Sequence, residues 1–155
     1  MKPVTCTRRI EFDSAHRVMR HESKCRNMHG HRYVAEVTAQ ADPDSVEGVE
    51  LDSVGRVVDF GVIKSVIGAW IDDNWDHGTI LNRDDEETVE FIKSKGWKLY
   101  LLDDNPTAEV MSRHLLEKSK ELLRGSDMVR CCVKVTHVRL YETPNCWADA
   151  DTDEY

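Results

Sequence analysis

From His31 onward the chain alternates, with Tyr33, Ala35, Val37 and Ala39 on one side and Arg32, Val34, Glu36, Thr38 and Gln40 on the other. A period of two is the pattern of a strand half-buried in a sheet, and Asp42-Pro43-Asp44 stops it with turn chemistry. The strand is headed by Cys25-Arg26-Asn27-Met28-His29-Gly30-His31. Side chains at i and i+2 of an extended stretch project to the same side, so His29 and His31 can grip one metal ion. Cys25, four positions before His29, can hang over that site as a further ligand or stand beside it as a reactive thiol. Spacing leaves both open.

Zinc favours nitrogen and sulfur ligands, and its catalytic sites commonly use three protein ligands with the fourth position open. Residues 4–13 read as a first strand ending near Ser14-Ala15-His16, and an antiparallel neighbour of the second strand brings His16 alongside His29 and His31. His21 competes for the same place from the middle of a polar loop over 17–28.

Beyond the second strand, 45–53 reads as an exposed acidic connection. Val62, Ile63, Val66, Ile67, Trp70 and Ile71 recur at helical spacing, with Asp59 as N-cap and an end near Asn74. A loop carrying Trp75-Asp76-His77-Gly78 runs to Leu81-Asn82. The segment 83–105 looks like an insertion holding a short surface helix and an extended excursion at 97–102. Asn105 is expected to cap the next helix, with Pro106 at its first position and Gly125 at its end. Residues 128–142 alternate as a long strand with one slip of register, and a short strand is expected around Trp147. Strands sequential at each end with two helices between them predict an α+β arrangement, an antiparallel sheet with both helices on one face.

At 155 residues the chain is expected to form a single domain over 1–155, large enough to bury a core without staples. No run reaches the roughly 18 apolar residues of a membrane helix, and 1–9 lacks the apolar region of a signal peptide, so the expected location is cytoplasmic. Five cysteines, two of them adjacent, argue for reduced thiols rather than a disulfide framework. A net charge of -8 disfavours general nucleic-acid binding. A small anionic substrate is compatible with it, given local cations such as Lys24 and Arg26.

Phe12-Asp13-Ser14-Ala15-His16 followed by Cys25-x3-His29-Gly30-His31-x-Tyr33 resembles the signature of the 6-pyruvoyltetrahydropterin synthase and 6-carboxytetrahydropterin synthase family. Further motifs of that family follow in order: Val57-Val58-Asp59-Phe60, Asp76-His77 with Leu81-Asn82, Pro106-Thr107-Ala108-Glu109, and Tyr141-Glu142-Thr143. The short spacing from Cys25 to His29 is similar to the bacterial carboxytetrahydropterin branch. The length of 83–105 and the closing Ala148-Asp149-Ala150-Asp151 depart from the family pattern.

The resemblance implies a tunnelling fold (T-fold), a four-stranded antiparallel sheet with two helices on one face. It also implies a homo-oligomer, usually a hexamer, with active sites at subunit interfaces. It implies Zn2+ held by His16, His29 and His31, with Cys25, Asp76 and His77 as catalytic residues. Glu142 and Thr107 correspond to contacts with the pterin ring. The implied substrate is 7,8-dihydroneopterin triphosphate, and the implied product is 6-carboxy-5,6,7,8-tetrahydropterin, released with acetaldehyde and triphosphate on the way to queuosine-type 7-deazapurines. A pyruvoyl synthase acting on the same substrate without carbon–carbon cleavage is the near alternative. A non-catalytic zinc- or pterin-binding homologue is the more distant one.

Overall fold

A computed structural model describes residues 2–42 and 50–152. Parts of the expected turn at 42–44 and of the acidic connection 45–53 lie outside the described residues. Strand β1 (Thr5–His16) pairs antiparallel with β2 (His29–Ala41) along its whole length, which sets His16 opposite His29 and Ser14 opposite His31. β2 continues antiparallel to β5 (Val133–Thr143), and β5 to β6 (Cys146–Asp151). The expected slip of register is a bulge in β5, where the pairing jumps from His137 to Val135 opposite Thr38 and Ala39.

These four strands make the antiparallel sheet that the sequence predicts. Two more extend it. The stretch expected as a loop after Asp76-His77 is instead strand β3 (Gly78–Asn82), parallel to β1 at Ser14–His16, and β4 (Leu99–Leu102) lies parallel to β3. The sheet therefore has six strands in the order β4-β3-β1-β2-β5-β6. The reason is backbone satisfaction: the end of β1 is buried, and its outward N–H and C=O groups need partners there. All five residues of β3 are buried, so alternation could not reveal it.

The first helical stretch covers 60–74 as α1 (Phe60–Ile63), a π-helical turn (Lys64–Gly68) and α2 (Ala69–Asn74). Asp59 caps it as expected, accepting the Gly61 N–H at 2.7 Å. Helix α3 (Glu86–Ser94) is the short helix expected within 83–105. Helix α4 (Ala108–Arg124) begins later than predicted: Thr107, not Asn105, is the N-cap, its hydroxyl oxygen accepting the Val110 N–H at 3.3 Å. The Asn105 amide is committed elsewhere, gripping both backbone groups of Met19.

One face of the sheet packs against 60–74 and α4. Ile10, Phe12, Tyr33, Ala35, Val37, Val138 and Leu140 are buried on it, around Ile63, Ile67, Ile71, Met111 and Leu115 from the helices. Alternation sends Glu11, Asp13 and Arg32 to the opposite face, where they form exposed ion pairs. No helix among the described residues is long and apolar enough to cross a membrane.

Candidate metal centre

The periodicity that builds the core also builds the site. On β1 the residues facing the helices are Ile10, Phe12, Ser14 and His16; on β2 they include His29, His31 and Tyr33. Phe12 and Tyr33 stack at 5.1 Å in the core, and one step further along the same face the apolar residues give way to three imidazoles. Gly30 permits the close approach of the two strands there, since a Cβ at that position would stand 3.0 Å from the Ser14 carbonyl oxygen.

His16, His29 and His31 form a group able to hold a metal ion, with one ligand atom from each within 4.8 Å of the others. The sequence-derived rival His21 is not in that group; its Nδ1 accepts the Ser23 N–H at 2.9 Å. Cys25 also lies outside the ligand group. It sits half-buried in a short 3₁₀ turn (Lys24–Arg26).

The donor set fits a cation on chemical grounds. His16 Nδ1 lies 2.7 Å from the Pro106 carbonyl oxygen, and His29 Nδ1 lies 2.7 Å from that of Asn27. A carbonyl can only accept, so each Nδ1 carries the proton and each Nε2 presents a lone pair. Those two Nε2 atoms face each other at 3.1 Å. Two lone pairs so placed repel unless a cation lies between them, and tetrahedral Zn–N bonds of about 2.0–2.1 Å put ligand nitrogens roughly 3.3 Å apart. Burial pushes the His16 pKa down to about 4, which keeps the ring neutral and ready to ligate. His31 is lowered as well, by burial first, with Glu142 working against the shift. Its Nε2 is buried with no hydrogen-bond partner among the described residues.

Glu142 continues the alternation of Val138 and Leu140 onto the same face. Its carboxylate reaches within 3.5 Å of His31 Nε2 and 4.0 Å of His16 Nε2. Tyr33 meets both His16 and His31 edge-on. Its pKa is raised, by burial first and then by Glu142 and Cys25. Thr107, at the start of α4, is one residue from the carbonyl that holds His16. Its hydroxyl oxygen caps the helix, leaving the O–H free to donate.

Asp76 and His77 are brought together with each other, and neither belongs to the group of three imidazoles. Asp76 Oδ2 holds His77 Nδ1 at 2.7 Å, while its Oδ1 accepts the Asp13 N–H at 3.0 Å. His77 is exposed and lines a cleft of about 510 Å³ with Asp13, Arg32, Trp97 and Lys98, and Ser14 and His31 border the same cleft. Asp13 and Arg32 belong to the face turned away from the helices, opposite to the imidazole group. Burial disfavours the Asp76 carboxylate, but the Asp13 N–H, His77 and Lys98 outweigh it and hold its pKa below the ordinary value.

Sequence reasoning missed the carbonyls of Pro106 and Asn27, because backbone groups have no signature in a sequence. Tyr33 was visible, as a strand residue within the histidine motif, but nothing in its spacing marked its place against two of the imidazoles.

Residues 5–153 match the family described as 6-pyruvoyl tetrahydropterin synthase. A protein of Rickettsia felis named 6-carboxy-5,6,7,8-tetrahydropterin synthase is 43% identical over 148 residues, covering 94% of this chain and 99% of the relative. Among solved structures, an uncharacterised protein from Wolinella succinogenes aligns with a TM-score of 0.78 at 20% identity, over 99% of this chain and 100% of that one. The 6-pyruvoyl tetrahydropterin synthase of Caenorhabditis elegans aligns at 0.64 and 24%, over 99% and 98%. The fold is the T-fold, and the chain belongs to the 6-pyruvoyl tetrahydropterin synthase family of pterin-processing enzymes.

Proposed function

We propose that the chain, as one domain carrying an insertion at 83–105, converts 7,8-dihydroneopterin triphosphate to 6-carboxy-5,6,7,8-tetrahydropterin with release of acetaldehyde and triphosphate, in the route to queuosine-type 7-deazapurines. The observation that carries this reading is the grouping of the buried His16 with the partly buried His29 and His31, with two lone pairs aimed at one point and Cys25 outside the group. The choice of product rests on the name of the Rickettsia felis relative.

In this reading His16, His29 and His31 hold Zn2+, which when bound supplies Lewis acidity toward the substrate's side-chain oxygens. Cys25 takes and returns a proton on the side chain. Lys24 and Arg26 flank Cys25 in the same short turn. Glu142 accepts paired hydrogen bonds from the pterin's amino and ring N–H groups, and Thr107 donates to the ring. His77 carries protons at Nε2 because Asp76 fixes the proton on Nδ1.

Asp76 and His77 lie outside the group of three imidazoles, and in this reading they serve the site of a neighbouring subunit in a homo-oligomer, a hexamer by family resemblance. The strand edges support that assembly. β3 covers β1 only at Ser14–His16, so the rest of β1 presents an open edge, and β6 ends the sheet on the other side. The partners expected are a small pterin triphosphate and further copies of the chain.

The test is incubation of zinc-loaded protein with 7,8-dihydroneopterin triphosphate, with mass identification of the pterin and an assay for acetaldehyde. A carboxytetrahydropterin with stoichiometric acetaldehyde supports the proposal. A pyruvoyl product without acetaldehyde assigns the pyruvoyl activity instead, and an unchanged substrate overturns the enzymatic reading.

A further inference from the structure

The segment 83–105, one of the places where the chain departs from the family pattern, makes a specific set of contacts with the loop that carries Cys25. Asp85 stands at the N-cap position of α3, where its carboxylate would ordinarily accept a backbone N–H of its own helix. It makes no such bond. It is buried at 6% exposure, and its two oxygens accept from Arg17 Nη1 at 2.9 and 3.0 Å. Thr88 completes the arrangement, accepting from the same Nη1 at 3.0 Å and donating to Asp85 Oδ1 at 2.9 Å.

Arg17 follows the ligand His16 directly, and it turns the grip of Asp85 into a brace on Cys25. Its Nε donates to the Arg26 carbonyl at 2.9 Å, while the next residue, Val18, donates its N–H to the Cys25 carbonyl at 2.9 Å. The two carbonyls on the C-terminal side of the thiol-bearing turn are thus tied to the two residues after His16. Asn105, at the far end of the insertion, holds Met19 through both of its backbone groups at 2.9 and 3.1 Å. A loop of this kind, polar and without periodicity, has no apolar face to fix it. Its placement relative to the histidines comes from these hydrogen bonds.

We propose that Asp85 is a positioning residue for Cys25: through Arg17 it fixes the thiol-bearing turn relative to His16, so the insertion serves the active site as its scaffold. A buried carboxylate facing a guanidinium held in two directions is a stiff link. Removing its charge leaves Arg17 free to swing toward solvent and release Arg26.

The inference rests on the proposed catalytic role of Cys25, and its test is chosen to read the thiol without turnover. The metal-loaded protein and its Asp85→Asn variant are treated with iodoacetamide, and the alkylation rate of each cysteine is followed by peptide mass spectrometry. Cys6, half-buried on β1, and the exposed Cys146 serve as internal references. The expected result is a change of about threefold or more at Cys25 alone, with unchanged zinc content. In the pterin assay kcat falls by about tenfold to a hundredfold with little change in KM, the size expected of a misplaced reacting group.

An unchanged Cys25 rate overturns the proposal whatever the activity, and so does a parallel rise at Cys6, which marks general loosening. Should Asp85→Asn not fold, Arg17→Lys answers the same question. Lysine keeps a charge facing Asp85 but gathers its three donors on one ammonium, so the planar fork that holds Asp85 and the Arg26 carbonyl in two directions is lost and the Cys25 rate must still change. Failure of the wild-type pterin assay would instead count against the proposed function, leaving the alkylation result standing.

Discussion

Asp76 and His77 hydrogen-bond to each other at 2.7 Å although they are adjacent in sequence, and adjacent side chains do not ordinarily meet. The backbone makes it possible. His77 has a φ of 55°, in the left-handed region, which turns its ring back over Asp76. The other oxygen of Asp76 is fixed by the Asp13 N–H, and Lys98 Nζ donates to the Asp76 carbonyl at 2.7 Å. The carboxylate therefore has a single orientation to offer the imidazole.

Replacing Asp76 by Asn keeps an oxygen for the Asp13 N–H but no longer enforces the Nδ1–H tautomer. The expected loss in kcat is about a hundredfold or more with folding nearly intact. Steady-state kinetics beside a thermal melt of the same sample check this; a variant with wild-type kcat would remove the relay from the proposed mechanism.

Substitution is expected to separate the roles proposed for the three imidazoles and for Cys25. His31→Ala is expected to abolish stoichiometric zinc, because the remaining two imidazoles make an incomplete site. Cys25→Ala is expected to retain zinc and lose turnover. Metal analysis after gel filtration distinguishes them, and loss of zinc from Cys25→Ala would make the cysteine a ligand.

Acid should destabilise the metal-free protein through His16. Burial lowers its pKa from 6.5 to about 4 in the folded state. Between those values the unfolded chain holds the extra proton, so this contribution is complete above pH 6.5 and is lost as pH falls toward 4. The loss amounts to about 3 kcal/mol at the low end. Urea titrations of chelator-treated protein at pH 7 and pH 4.5 measure it, and His16→Asn should flatten the dependence.

Gly30→Ala introduces a methyl group 3.0 Å from the Ser14 carbonyl oxygen. Backbone cannot yield as a side chain can, so β1 and β2 must part at the level of the ligands. A cost of about 1–3 kcal/mol is expected, together with weakened zinc binding, because His29 and His31 flank the displaced residue. Denaturant unfolding of the metal-free form and competition with a zinc chelator report the two effects separately.

The sequence by itself determined the strands β1 and β2, the capping of 60–74 by Asp59, and the shared face of His29 and His31, because each follows from local periodicity or a local cap. The family motifs added Cys25, Asp76, His77, Thr107 and Glu142. Tertiary structure decided what depends on partners distant in the chain. β3 is a strand because the end of β1 needs hydrogen-bond partners, and Asn105 does not cap α4 because Met19 occupies its amide. Pro106 and Asn27 fix the imidazole tautomers through carbonyls that every residue possesses. Asp76 and His77 meet at the β1 edge because the Asp13 backbone N–H and carbonyl anchor them there, a placement set by the sheet and invisible in the spacing of the residues.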